Sequence, residues 1–153
     1  MDAEQWRPFL KRWSEEWIAA HDPENDQPLD EGVVRDGWLG FAPATEEEIT
    51  AAEARLGVSF PPSLREFLAV TNGWRDAGGF IYRLAGPAEL GWLRDMDSFW
   101  IDSIGAAFDT ARDEDEPDDE SATALLRRAL QLSTDGDCAV MFLDPRDVNA
   151  EGE

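Results

Sequence analysis

The chain has 153 residues, of which 34 are acidic and 13 are basic, so its formal net charge is −21. Its hydrophobic content of 42%, with seven tryptophans, excludes a wholly disordered chain and suits a single domain over residues 1–153. The acid excess argues against binding to DNA, RNA and anionic membranes, because phosphate binding depends on clustered lysine and arginine.

The charge leaves two interpretations open: it keeps the protein soluble, or it attracts a basic partner. The single cysteine, Cys138, excludes an internal disulfide and is typical of a reducing compartment. It lies in the apolar run CAVMFL, so we expect a buried and unreactive thiol. The first residues have no apolar signal core, and no run reaches the roughly 18 apolar residues of a membrane helix. We therefore expect a soluble, cytoplasmic protein.

Residues 3–20 are predicted to form an amphipathic helix that Asp2 caps. We expect its apolar stripe to pack against a sheet, and a partner-binding face is the alternative. Residues 22–32 contain five acids, two prolines and no base, which predicts an acidic loop, and residues 33–42 are expected to be extended. The stripe consists of Trp6, Phe9, Leu10, Trp13 and Trp17.

The most informative stretch is residues 43–74, which specifies two helices and their ends. Thr45 and Glu48 form the pattern of a capping box, and Gly57 suits a left-handed helix end. Pro61 and Pro62 end any helix that precedes them. Because the N–H that proline lacks is not needed at the first position of a helix, the pair also predicts the start of a second helix. The remaining markers are the apolar stripes Ile49, Ala52, Leu56 and Leu64, Phe67, Leu68, Thr71, and the helix end at Asn72 and Gly73.

Short elements follow this motif. Residues 80–84 are predicted to form a strand, which Gly86 and Pro87 break before a short helix that reaches Leu93. Residues 99–108 fit a strand, a short helix or both in sequence. The run DEDEPDDE, residues 113–120, repels itself and predicts an exposed acidic loop, and residues 121–128 suit one or two helical turns. Residues 129–133 and 138–143 are predicted to pair as a hairpin across residues 134–137, which contain an Asp-Gly turn signal.

The chain resembles the SUKH superfamily, which includes bacterial toxin-immunity proteins and a yeast regulator of cell-wall synthesis. The resemblance rests on PATEEEI, LGVSFPPSLREFL and TNGW in this order, and on residues 129–145, which resemble the family's later hairpin. It implies an α+β fold with a mainly antiparallel sheet packed against N-terminal helices. SUKH domains commonly continue with a further strand and a closing helix. We expect a short member or a piece of a longer protein, with an edge strand or an apolar groove open.

No pattern of residues points to catalysis or to a metal site. His21 is the only histidine, and the chain has no G-x-S-x-G, phosphate-binding loop or H-E-x-x-H pattern. One histidine and one cysteine make zinc implausible. Residues 22–33 begin with the spacing of an EF-hand loop, but Gln27 and Val33 stand where its glycine and glutamate belong. We therefore expect no metal, no cofactor and no enzymatic activity.

The resemblance implies an immunity protein that binds and occludes a cognate bacterial toxin. The charge of −21 favours a basic toxin such as a nuclease, whose active site carries positive charge to hold phosphate. A regulatory or scaffolding interaction domain without a toxin partner is the alternative.

The candidate partner-binding residues are acids beside aromatic side chains, together with the acidic loop 113–120, which would steer the partner along with loop 22–32. For Trp74 and Trp92, packing in the core is an equally good interpretation. The candidates are Trp74, Asp76, Trp92, Asp95, Asp97, Trp100, Asp113, Glu114, Asp115, Glu116, Asp118 and Asp119.

Overall fold

The computed structural model describes residues 1–26, 28–111, 121–150 and 152. Within them the α-helices are α1 (Ala3–Ala20), α2 (Glu31–Asp36), α3 (Glu46–Leu56), α4 (Pro62–Val70), α5 (Leu93–Met96), α6 (Ala106–Ala111) and α7 (Ala122–Arg128). The strands are β1 (Trp74–Gly78), β2 (Ile81–Leu84), β3 (Gly91–Trp92), β4 (Leu130–Gln131), β5 (Ser133–Gly136) and β6 (Phe142–Leu143). A π-helical segment, Trp100–Gly105, leads directly into α6.

The predicted signals at the ends of the longer helices are confirmed. Asp2 begins α1 with a capping box, and Thr45 and Glu48 form another at the start of α3. Gly57 ends α3 with a φ of 69°, a left-handed conformation that glycine adopts at little cost. α4 begins at Pro62, where the missing N–H is not needed. These boundaries follow from local hydrogen bonds and backbone conformations.

Two stretches are helical where the sequence predicts otherwise or leaves the choice open. Residues 31–36 are neither loop nor extended chain, because Asp30 accepts a hydrogen bond from the Gly32 N–H at 2.8 Å and begins α2. Gly37 ends this short helix with a φ of 60°. Residues 99–108 are helical, since Phe99 leads into the π-helical segment and that segment into α6, and they contain no strand. One capping aspartate is hard to recognise in a stretch that is acidic throughout.

The strands form two three-stranded antiparallel sheets and not one continuous sheet. The strand orders are β1-β2-β5 and β3-β4-β6. Only Leu132 separates β4 from β5, so one stretch of chain crosses from the second sheet to the first. The Leu132 carbonyl accepts from the Ala85 N–H at 2.7 Å, and the Leu132 N–H donates to the Met141 carbonyl at 2.8 Å. Leu132 therefore ties the two sheets together.

β1 is a strand that the sequence does not reveal. Its residues, WRDAG, include aspartate and glycine, which strands disfavour. The strand forms because β2 supplies its hydrogen-bond partners, with Trp74 opposite Leu84. The register shifts between Arg75 and Gly78, and Asp76 at this irregularity has a positive φ of 50°. β1 therefore carries an irregular residue with a charged side chain at its centre.

The turn of the later hairpin lies further along the chain than predicted. β4 and β6 pair as antiparallel strands, with Leu130 opposite Leu143. Asp135 and Gly136 are not in the turn, because they belong to β5 and pair with β2. The chain reverses after Gly136, and Cys138 in this reversal has a φ of 51° and is exposed. The prediction of a buried Cys138 is wrong, since the shifted turn carries this residue to the surface.

The hydrophobic core has two parts, and both pack helices against antiparallel strands, which confirms an α+β fold. The larger part lies between α1, α3, α4 and the sheets, and its most deeply buried side chains include Leu39, Ile49, Leu68 and Leu90. The smaller part joins α5, the π-helical segment and α7. Its buried residues are Leu93, Ile101, Leu126 and Ala129.

Candidate partner-binding surface

An open apolar groove lies between α1, α4 and the strands. Its volume is about 380 Å³. Phe9 and Met141 are each 38% exposed, so the groove presents apolar atoms to solvent. Exposed apolar concavities of this kind mark sites that bind proteins or ligands. Its principal lining residues are Trp6, Phe9 and Trp13 of α1, and Leu84, Met141 and Leu143 from the strand side.

The indoles of α1 are fixed by hydrogen bonds as well as by packing. Trp6 Nε1 donates to the Ser63 carbonyl at 3.1 Å, and Trp13 Nε1 donates to the Asp76 carbonyl at 3.3 Å. The ring of Trp6 also meets that of Phe67 edge-on, with centroids 5.4 Å apart. The apolar stripe therefore packs against the core, as expected, and part of it also lines the open groove.

A second concavity, a polar cleft, follows the groove along α1. Its volume is about 710 Å³. Trp17 lines it from the last turn of α1, His21 from the residue just after that helix, and Tyr82 of β2 from the sheet. Four carboxylates and two bases complete the electrostatic environment, so the cleft is acidic on balance. The carboxylates are those of Asp26, Asp30, Asp76 and Asp135, and the bases are His21 and Arg75.

Asp76 is held in an unusual conformation within this cleft. Its φ of 50° is uncommon outside glycine, although aspartate tolerates the left-handed region better than most residues. Burial raises the pKa of its carboxyl group, while the positive charges of Arg75 and His21 act in the opposite direction. Among the described residues, the Asp76 carboxylate has no hydrogen bond and no ion pair. A cation that entered the cleft would stabilise the ionised form of this carboxylate.

The two bases of the cleft already have partners. Arg75 Nη1 donates to the carbonyls of Leu39 and Gly40, at 3.2 and 3.0 Å. His21 Nδ1 lies 3.7 Å from a carboxylate oxygen of Asp26. These contacts hold the arginine and the histidine against the walls of the cleft. The cleft therefore keeps its acidic character.

The residues that form most of this fold match a known family. Residues 43–153 match the SMI1 / KNR4 family (SUKH-1). The chain belongs to the SUKH-1 family. The match spans the two-helix motif and the later hairpin, which confirms the resemblance seen in the sequence. No curated protein and no solved structure matches the chain significantly. α1 precedes the matched residues, so both concavities lie between the SUKH-1 match and a helix outside it.

Trp74 is a core residue of this SUKH-1 protein. Its side chain is 2% exposed and meets the Trp38 ring edge-on, with centroids 5.0 Å apart. Of the two interpretations that the sequence allows for Trp74, the structure supports core packing, and this buried indole also lines the groove. Asp76, predicted beside it, lines the polar cleft and stays a candidate.

The second predicted group is spread over two packing environments. Trp92 packs against the larger core and lies 5.0 Å below the Arg94 guanidinium, whereas Trp100 packs against the smaller core. Asp97 accepts a hydrogen bond at 3.0 Å from the N–H two residues later, and the exposed Asp95 lies 3.7 Å from Arg94. None of these four predicted residues lines the groove or the polar cleft. Their role as partner contacts stays a prediction.

The residues predicted for steering are only partly described. In the first acidic stretch, the Asn25 side chain and the Glu24 N–H donate to the Asp22 carboxylate at 2.6 and 3.0 Å and lower the pKa of Asp22. That stretch is therefore a structured turn followed by α2. The second acidic stretch lies outside the described residues, so its steering role also stays a prediction. Its predicted residues are Asp113, Glu114, Asp115, Glu116, Asp118 and Asp119.

Two further observations concern the described ranges as a whole. Over residues 1–26, 28–111, 121–150 and 152, no three His, Cys, Asp or Glu side chains are grouped as metal ligands would be. No helix in those same ranges combines the length and the apolar character that crossing a membrane requires.

Sequence reasoning missed most residues that line the two concavities. From the sequence, Phe9 is predicted to belong to an apolar stripe that packs in the core, and Met141 to a hairpin strand. Tyr82 is predicted to lie in a strand and Asp135 in a turn. A helical pattern shows that a helix has an apolar face, but it does not show how much of that face the core covers.

Proposed function

We propose that this SUKH-1 protein is an immunity protein that binds a cognate bacterial toxin and occludes its active site. The observation that carries the proposal is the family match over residues 43–153, which supports a toxin-immunity or related protein-interaction role. The excess of 34 acids over 13 bases supports a basic toxin, such as a nuclease, as the partner.

The proposed mechanism is occlusion without chemistry. A nuclease holds its phosphate substrate with positive charge, so a protein with a net charge of −21 competes for the same surface. Long-range attraction raises the association rate and weakens as ionic strength rises. Aromatic side chains buried in the interface then slow dissociation. We propose that this capture takes place in the cytoplasm, where such a toxin reaches nucleic acid.

The proposal is tested by neutralisation of a toxin in cells. Proteins that co-purify with the tagged chain from the organism that encodes it, and the product of the neighbouring gene, are expressed with and without the chain. We expect one basic protein that is toxic alone and harmless in its presence. Light scattering should show a one-to-one complex, and the affinity should fall as salt rises.

Two results would overturn the proposal or replace it. A toxic partner that binds the chain and still kills the cells would exclude immunity. Weak binding to several partners, none of them toxic, would favour a regulatory or scaffolding function instead.

A further inference from the structure

α1 connects the apolar groove to the polar cleft. Trp6, Phe9 and Trp13 line the groove, whereas Trp17, further along the same helix, and His21, which follows the helix end, line the cleft. The two concavities are therefore neighbours along one helix face and can contact a single bound segment.

β1 and β2 show the same division on the other side. Ala77 and Leu84 line the groove, whereas Asp76 and Tyr82 line the cleft. Trp13 marks the boundary, because its indole N–H donates to the Asp76 carbonyl at 3.3 Å. We refer to the groove and the polar cleft together as the α1 trough. One half of the α1 trough is apolar, and the other half is acidic.

Each half of the α1 trough selects a different chemistry. The groove is lined by apolar side chains apart from Ser63, and its volume of about 380 Å³ lies within the roughly 300–1,000 Å³ of ligand pockets. The cleft offers the carboxylates of Asp76 and Asp135, which have no ion pair among the described residues. A segment that fills both halves presents apolar side chains followed by a base.

The net charge of the chain favours some occupants of the α1 trough over others. A second copy of the chain also carries a net charge of −21, so mutual repulsion opposes docking of one trough on another. Nucleic acid is repelled for the same reason. A basic protein is attracted, and its lysine or arginine side chains complement the acidic half.

We infer that the α1 trough is the docking site for one segment of a basic partner, with apolar side chains in the groove and a lysine or arginine beside Asp76. The identification of that partner as the toxin rests on the proposed function. α1 lies outside residues 43–153, so the docking site combines the SUKH-1 match with a helix that precedes it.

A matched pair of variants separates docking from unspecific attraction. Phe9 and Phe108 both lie on helices and are 38% and 67% exposed, but only Phe9 lines the α1 trough. Phe9→Glu and Phe108→Glu each add one negative charge, so unspecific attraction of a basic ligand rises equally in both. Only Phe9→Glu places a carboxylate in the groove. Met141→Glu repeats the test from the strand side in case Phe9→Glu disturbs α1, and Asp76→Asn tests the cleft.

The probes are three synthetic helical peptides of equal length. The first carries a leucine stripe and lysines, the second replaces its lysines with glutamates, and the third replaces its leucines with serines. We expect only the first to bind the wild-type chain tightly, by fluorescence anisotropy at low salt. Phe9→Glu or Met141→Glu should weaken that binding about tenfold or more and Asp76→Asn by roughly threefold, whereas Phe108→Glu should leave it unchanged or slightly tighter.

Three results would overturn docking in the α1 trough. The first is equal binding of the leucine–lysine and serine–lysine peptides. The second is equal affinity of Phe9→Glu, Met141→Glu and Phe108→Glu, all folded by circular dichroism. The third is a wild-type dimer, by analytical ultracentrifugation, that Phe9→Glu dissociates, because the occupant would then be a second copy.

The toxin, once identified, distinguishes this inference from the proposed function. Rescue of cells by the wild-type chain and equally by Phe9→Glu and Met141→Glu would reject docking in the α1 trough and leave immunity intact. Failure of the wild-type chain itself to rescue would reject immunity. Rescue by the wild type and Phe108→Glu, lost in Phe9→Glu and Met141→Glu, would support both.

Discussion

Thr71, the first residue of the TNGW motif, is a buried polar residue on which a quantitative prediction can be built. Its side chain has no exposed surface, and its Oγ1 accepts from the Phe41 N–H at 2.8 Å and donates to the Gly73 carbonyl at 2.6 Å. A Cβ on Gly40 would lie 2.4 Å from this oxygen, so the chain approaches Thr71 closely. The perturbation is Thr71→Val, which keeps the shape and β-branching and removes both hydrogen bonds.

The expected loss follows from these contacts. In Thr71→Val the Phe41 N–H loses its acceptor, which costs about 1–3 kcal/mol, and the lost hydrogen bond to the Gly73 carbonyl costs about 1 kcal/mol more. We therefore expect Thr71→Val to destabilise the fold by roughly 2–4 kcal/mol. Thr71→Ser keeps the hydroxyl and removes one methyl group, which is worth about 1 kcal/mol. The order wild type, Thr71→Ser, Thr71→Val is the distinctive part of the prediction.

Urea denaturation followed by tryptophan fluorescence measures the free energy of unfolding, with circular dichroism as a second probe. A free energy of unfolding of Thr71→Val within about 0.5 kcal/mol of the wild type, the range of neutral surface substitutions, would contradict a stabilising role of the Thr71 hydroxyl. That role is also refuted if Thr71→Ser loses as much as Thr71→Val, because the methyl group would then carry the effect.

Three further predictions concern a helix end, a cap and the thiol. Gly57→Ala should lower the free energy of unfolding by about 1–2 kcal/mol, because φ is 69° there; an unchanged urea midpoint would contradict this. Hydrogen bonds from the Thr123 and Ser121 side chains lower the pKa of Asp109 to about 2. The stabilisation that the ionised Asp109 carboxylate contributes is therefore complete above about pH 4 and lost as pH falls through about 2. The free energies of unfolding of the wild type and of Asp109→Asn should therefore converge in acid, and a difference that stays constant with pH would contradict this prediction. Cys138 should react with Ellman's reagent in the folded state, and reaction only after unfolding would contradict its exposure.

The ends of α3 and the start of α4 were predictable because their causes are local and their signals are distinctive. The capping box of Thr45 and Glu48, the glycine at 57 and the proline at 62 each act within a few residues of the end that they define. A sequence window contains all the information that such hydrogen bonds and backbone conformations need. The motif that carries the family resemblance consists mostly of these ends.

The turn of the hairpin was not predictable because a distant strand overrides a local signal. Asp135 and Gly136 form a strong turn pattern, but β2 pairs with both of them. A Cβ on Gly136 would lie 2.7 Å from the Phe80 carbonyl, so this glycine permits a close approach of two strands and not a turn. Because the chain reverses only after Gly136, Cys138 moves from an expected core position to the exposed reversal.

The candidate site was the least predictable part, because burial of an aromatic side chain depends on the whole fold. Trp13 belongs to the apolar stripe of α1, whereas Trp74 stands near an acid, so the sequence favours the core for Trp13 and leaves Trp74 open. In the structure both line the open groove, but Trp74 is only 2% exposed and Trp13 is only partly buried. Of the residues predicted for the partner, Asp76 lines the polar cleft, and Trp74 lines the groove as a buried residue.

The acid excess and the open groove explain each other. An exposed apolar groove favours association with other copies of the chain, and a net charge of −21 opposes that association through mutual repulsion. In the docking that we propose, the same charge attracts a basic partner toward the groove. The two interpretations that the sequence leaves open, solubility and attraction, are therefore two consequences of one charge. A surface of this kind can remain uncovered among like copies and be covered by a partner of opposite charge.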